Sequence, residues 1–95
     1  MISNKTIALA ERLNALRSEL NQSILDDSNG KARLCYCGDI QITFAEPYDA
    51  DEEYLRSVLP EIRYVDNSEN FKHLHYKLGN VPFVTLVHKR RTDCE

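Results

Sequence analysis

The chain has no tryptophan, one methionine, three glycines and three prolines. So little glycine and proline excludes collagen-like and low-complexity architectures, and the glycines sit singly where turns are expected rather than in phosphate-cradling loops. No GxSxG elbow, HExxH helix or calcium loop occurs, so the common hydrolase, metalloprotease and EF-hand signatures are absent. Cysteine is scarce and odd in number: Cys35, Cys37 and Cys94. A disulfide framework is not expected, and a reducing cytoplasm is the simplest home. No run approaches the length of a membrane span and the first twenty residues lack the unbroken apolar core of a signal peptide, so the expectation is a soluble, unprocessed protein. Positive charge is also in short supply. With 12 Lys and Arg against 15 Asp and Glu the formal charge is -3, which argues against general nucleic-acid binding, because that affinity comes from clustered Lys and Arg displacing counterions.

What remains is an ordinary globular composition, 42% hydrophobic and 28% charged, in 95 residues. That is enough for one modest core, so residues 1–95 are read as a single small domain, with 89–95 a charged tail. Phe71 to His88, FKHLHYKLGNVPFVTLVH, reads as two strands joined by a Gly79-Asn80 turn. A two-residue turn sets Leu78 opposite Val81, Tyr76 opposite Phe83, Leu74 opposite Thr85, His73 opposite Leu86 and Phe71 opposite His88. One face then carries Leu74, Tyr76, Leu78, Val81, Phe83 and Val87, and the other Phe71, His73, His75, Val84, Leu86 and His88. Both faces contain apolar residues, so both want cover, from helices or from another chain.

Upstream, Ser3 or Asn4 caps a helix on which Leu9, Leu13, Leu16 and Leu20 repeat at alternating steps of four and three. This narrow heptad-like seam either packs on the protein's own sheet or pairs across a dimer. Asp26 to Gly30 ends the helix. Lys31 to Cys37 and Ile40 to Ala45 form a second hairpin around Gly38-Asp39, whose two-residue register groups Cys35 and Cys37 with Ile40, Ile42 and Phe44 and makes the cysteines core. Asp49 with Glu52 has capping-box spacing for a short helix that Pro60 ends. Glu61 to Asp66 reads as a strand before the Phe71 hairpin. The fold class expected is α+β: a mostly antiparallel sheet of about five strands with a long N-terminal helix and one short helix, in the order α-β-β-α-β-β-β.

The chemistry-bearing residues are few. His73 and His75 point to one side of their strand, and His88 lies diagonally beside His73, so three imidazoles could converge in the manner of a three-histidine zinc site. No carboxylate is specified to orient them, and a mixed Cys35, Cys37, His73 and His75 set lacks CxxC spacing. The expectation is therefore no cofactor and no bound metal. The same histidines with the basic end His88, Lys89, Arg90 and Arg91 supply the alternative reading, a small metal-dependent or histidine-based hydrolase or ribonuclease. Helix-LDDSNGKARL-hairpin resembles the start of small acidic secretion chaperones over less than half the chain, and this resemblance implies a dimer that wraps a partner. The reading that follows is a cytoplasmic protein-binding accessory protein of bacterial or phage type, an inhibitor, adaptor or chaperone-like homodimer. Its dimer seam is Leu9, Leu13, Leu16 and Leu20, and its partner face is Phe71, His73, His75, Val84, Leu86 and His88.

Overall fold

The computed structural model describes residues 1–89. Its elements are α1 (Asn4–Asp27), β1 (Ala32–Cys37), β2 (Asp39–Phe44), a 3-10 turn (Tyr48–Ala50), α2 (Glu52–Val58), β3 (Tyr64–Asn67), β4 (Phe71–Leu78) and β5 (Val81–His88). The α+β class and the element order agree with the sequence reading. The strands form one sheet in the order β1-β2-β5-β4-β3, antiparallel throughout except where β2 meets β5 in parallel. That parallel contact arises because the chain leaves β2, crosses through α2 to the far edge of the sheet, and returns through β4 and β5 to the middle.

The β4–β5 hairpin has the expected register, from Phe71 opposite His88 to Leu78 opposite Val81. Gly79 takes φ +64 at the turn, a conformation open to glycine without steric cost. Leu74, Tyr76, Phe83, Thr85 and Val87 from this hairpin are buried with Ile42, Phe44, Ala32, Leu55 and Ile24 in the core. Its centre includes a polar chain: the Tyr76 and Thr85 hydroxyls lie 2.6 Å apart and Thr85 Oγ1 donates to the Ile42 carbonyl at 2.9 Å. Burial pushes the Tyr76 phenol up to about 12, against the opposing pull of its Thr85 hydrogen bond, so the hydroxyl stays protonated and donates to Thr85.

The first hairpin departs from expectation by one residue. The chain reverses over Gly38 at φ +84, and Tyr36, not Cys37, lies opposite Ile40. A one-residue slip moves every side chain of the strand to the other face. Ala32 and Leu34 therefore join Ile42 and Phe44, while Cys35 sits opposite Gln41 on the face away from the core and is partly buried there. The expected core role of Cys35 is corrected accordingly, and Cys94 lies outside the described residues.

The helices cover one face of the sheet only, and incompletely. Asp51, rather than Asp49, caps α2 by accepting from Tyr54 N at 3.0 Å, because Asp49 is taken up in the preceding 3-10 turn. Leu55 of α2 is fully buried, and Glu52 ties the helix to the sheet through Lys72 at 2.8 Å and to Arg56 at 2.8 Å. These two cations, Lys72 first, hold the Glu52 carboxyl below its ordinary range. Of α1, only the last turns reach the core. Ile24 is buried, Leu20 packs partly against the core, and Asn21 Oδ1 accepts from Leu34 N at 2.8 Å on the edge strand. Residues 4–19 are exposed throughout. The opposite sheet face carries neither helix.

Candidate functional site

Two surfaces stand out once the core is assigned. The first is the free part of α1. Ser3 caps it by accepting from Thr6 N at 3.2 Å, and 24 residues give a rod about 36 Å long at about 1.5 Å per residue. Leu9, Leu13 and Leu16 are 48%, 61% and 59% exposed. Of the four seam residues only Leu20 is shared with the core. The reading in which this helix packs along its own sheet is thus corrected for all but its last turns: periodicity marks an apolar stripe, but none of the described residues buries its first two-thirds. A free helix of this length is marginal in water, since most helix stability in proteins comes from packing an apolar face.

The second surface is the uncovered sheet face. Phe71, His73, His75, Val84, Leu86 and His88 all lie on it, as the β4–β5 register requires. They do not form one cluster. Phe71 and His88 meet edge to face with ring centroids 5.2 Å apart. His73 and His75 turn instead towards edge strand β3, where Tyr64 lies opposite His75 and Asp66 opposite His73. Val84 is only 3% exposed and offers little further area, whereas Phe71 and Leu86 are partly exposed.

Asp66 is the residue that sequence reading missed. Its two carboxylate oxygens each face one imidazole: Oδ1 lies 3.1 Å from His73 Nδ1 and Oδ2 lies 3.1 Å from His75 Nε2. Tyr64 stacks on His75 with centroids 4.2 Å apart and planes 7° from parallel, which fixes that ring. Ser68 Oγ lies 3.1 Å from His73 Nε2 and donates to the Phe71 carbonyl at 3.3 Å. The alternation of Tyr64 and Asp66 along EIRYVD was visible in the sequence, but the β3–β4 register was not. His88 falls outside this group, so the expected convergence of His73, His75 and His88 is replaced by Asp66, His73 and His75.

No helix among the described residues is long and apolar enough to cross a membrane. Comparison with protein-family models, curated proteins and solved structures gives no match.

Proposed function

We propose that this protein is a protein-binding accessory module that acts as a homodimer, assembled through α1. The observation that carries this reading is the run of exposed leucines on a helix that the described residues leave uncovered. Burying the exposed half or so of Leu9, Leu13 and Leu16 is worth about 1 kcal/mol per side chain. Six such leucines contribute about 6 kcal/mol to a dimer, whereas a micromolar Kd needs about -8 kcal/mol net of the association cost. The leucines alone therefore do not hold the dimer, and Ile2, Leu20 and the charged contacts beside the seam have to supply the rest.

The proposed occupant is a second copy in antiparallel orientation, and the charges beside the seam support it. If Leu13 meets Leu16 of the second copy and Leu9 meets its Leu20, the flanking positions set Arg12 against Glu19 and Lys5 against Asp26, four attractive contacts per dimer. A parallel pairing instead sets Arg12 against Arg17 twice. On its own helix, neither Arg12 nor Glu19 has an opposite charge three or four residues away, so both charges are available to a partner. Antiparallel packing also places the two sheets at opposite ends of the rod, whereas parallel packing crowds them together.

The open face around Phe71, Leu86 and His88 is the proposed surface for a further protein partner, with cytoplasmic location following from the cysteine usage. Sedimentation equilibrium tests the dimer. Wild type should move from the 11.0 kDa chain mass towards twice that value across the micromolar range. Leu13→Glu and Leu16→Glu should remain monomeric with unchanged circular dichroism of the sheet, because the positions are solvent-exposed in the single chain while a carboxylate buried in the seam costs several kcal/mol. A wild-type monomer at every concentration overturns the reading.

A further inference from the structure

We infer that Asp66, His73 and His75 form a binding site for a late first-row divalent cation, zinc being the best match to two imidazole nitrogens and one carboxylate. Their donor atoms all lie within 4.8 Å of one another. Asp66 Oδ1 lies 3.1 Å from His73 Nδ1 and its Oδ2 lies 3.1 Å from His75 Nε2. Tetrahedral zinc with bonds of about 2.0–2.1 Å holds its ligand atoms about 3.3 Å apart, so each histidine already has that spacing to one Asp66 oxygen. Closure on a single oxygen needs rotation of the exposed Asp66 carboxylate and of the His73 ring, which is 29% exposed, against the His75 ring that Tyr64 holds.

Ser68 completes the surroundings of His73. Its Oγ lies within hydrogen-bond distance of both the Phe71 carbonyl and His73 Nε2. With Nδ1 on a cation, the His73 ring carries its proton on Nε2 and donates it to Ser68 Oγ, whose own proton goes to the Phe71 carbonyl. Ser68 then plays the part of the outer partner that orients a metal-bound imidazole, and Tyr64 holds the other ring from the side. Asp66 is 55% exposed, so the rest of the coordination shell is open to water. On binding, each ring moves its proton from the nitrogen facing Asp66 to its other nitrogen, and no net proton is released when both rings are neutral.

The sequence offers competing ligands in Cys35, Cys37, Cys94 and His88, and the experiment separates them. Zinc chloride is titrated calorimetrically into metal-free protein prepared without an affinity tag, using wild type, Asp66→Asn, His75→Ala, Ser68→Ala, His88→Ala and a Cys35→Ser, Cys37→Ser, Cys94→Ser triple variant. Circular dichroism verifies the fold of each. One zinc per chain is expected for wild type, His88→Ala and the triple variant. Asp66→Asn and His75→Ala should weaken binding at least tenfold, and Ser68→Ala about tenfold. Wild type failing to bind at millimolar zinc, binding that persists in Asp66→Asn and His75→Ala, or binding lost in the thiol-free variant would each overturn the assignment. The Leu13→Glu monomer should bind zinc as wild type does, which keeps this test independent of the dimer.

Discussion

Reversing the charge of Arg12 separates the two ways in which α1 could pair, because the sign of the effect differs between them. In the antiparallel dimer each Arg12 faces Glu19 of the second copy, and a solvent-exposed pair of this kind contributes ~0.5 kcal/mol, with a like-charge pair costing about as much. Arg12→Glu therefore changes each of the two contacts by ~1 kcal/mol and the dimer by ~2 kcal/mol, roughly 30-fold in Kd. Adding Glu19→Arg restores opposite charges and should return the affinity to within about threefold of wild type, a fraction of a kcal/mol. The folded monomer should be indifferent, since residues 12 and 19 are both exposed and lie on the part of α1 outside the core. Sedimentation equilibrium over the micromolar range at low salt reads the association, and at about 1 M salt the differences should shrink as the charges are screened. Tighter association of Arg12→Glu would identify a parallel dimer relieved of its Arg12–Arg17 contacts. No change in either variant would place these charges away from the interface and refute the register.

The buried polar chain and the α2 anchor give further expectations. Thr85→Val should cost about 2–4 kcal/mol in urea unfolding, because it strands both the Tyr76 hydroxyl and the Ile42 carbonyl in the core. Tyr76→Phe, which leaves Thr85 bonded to Ile42, should cost about 1 kcal/mol, and the double variant less than the sum. The phenol's folded value of about 12 stands above its ordinary 10.0, so its contribution is complete below pH 10 and is lost as pH rises towards 12; Tyr76→Phe should flatten that alkaline loss. Glu52 has the opposite sign. Its carboxyl is lowered by Lys72 and Arg56, so the stability it adds is present above the ordinary carboxylate range and disappears as pH falls through the lowered value. Glu52→Gln should cost about 0.5–1 kcal/mol at neutral pH, and urea curves of variant and wild type should converge in acid.

How far the fold is legible in the sequence depends, element by element, on whether a local turn sets the register. Gly79-Asn80 is a two-residue turn of a common kind, and it fixed the faces of β4 and β5 from Phe71 to His88. Gly38 looks similar in the sequence, but the chain reverses over it alone, an odd-length link, and Cys35 changes face. Between Asp49 and Asp51 the capping spacing did not choose, because the local backbone bonds of the 3-10 turn Tyr48–Ala50 enclose Asp49 and leave Asp51 at the helix start.

The candidate sites were harder to read for a related reason: each depends on something outside its own strand or helix. Period 3.5 on α1 reveals an apolar stripe, yet the same stripe suits a core or a second copy, and only the position of the domain at the Ile24 end distinguishes them. His73 and His75 announced themselves as a pair on one strand, but their third member had two equivalent sources, one on each neighbouring strand. The β5 neighbour was legible through the hairpin turn and supplied His88. The β3 neighbour follows a longer link, in which Ser68 N donates to the Phe71 carbonyl, and this pairing puts Asp66 opposite His73. His88 lies opposite Phe71 and not opposite His73, whose partner on β5 is Leu86, and its ring packs on Phe71. Asp66 lies directly opposite His73 and diagonal to His75, so one carboxylate reaches both rings. At the sheet edge it also keeps much of its solvation, being 55% exposed. Register, with that retained solvation, is the physical reason why the cluster forms on the β3 side.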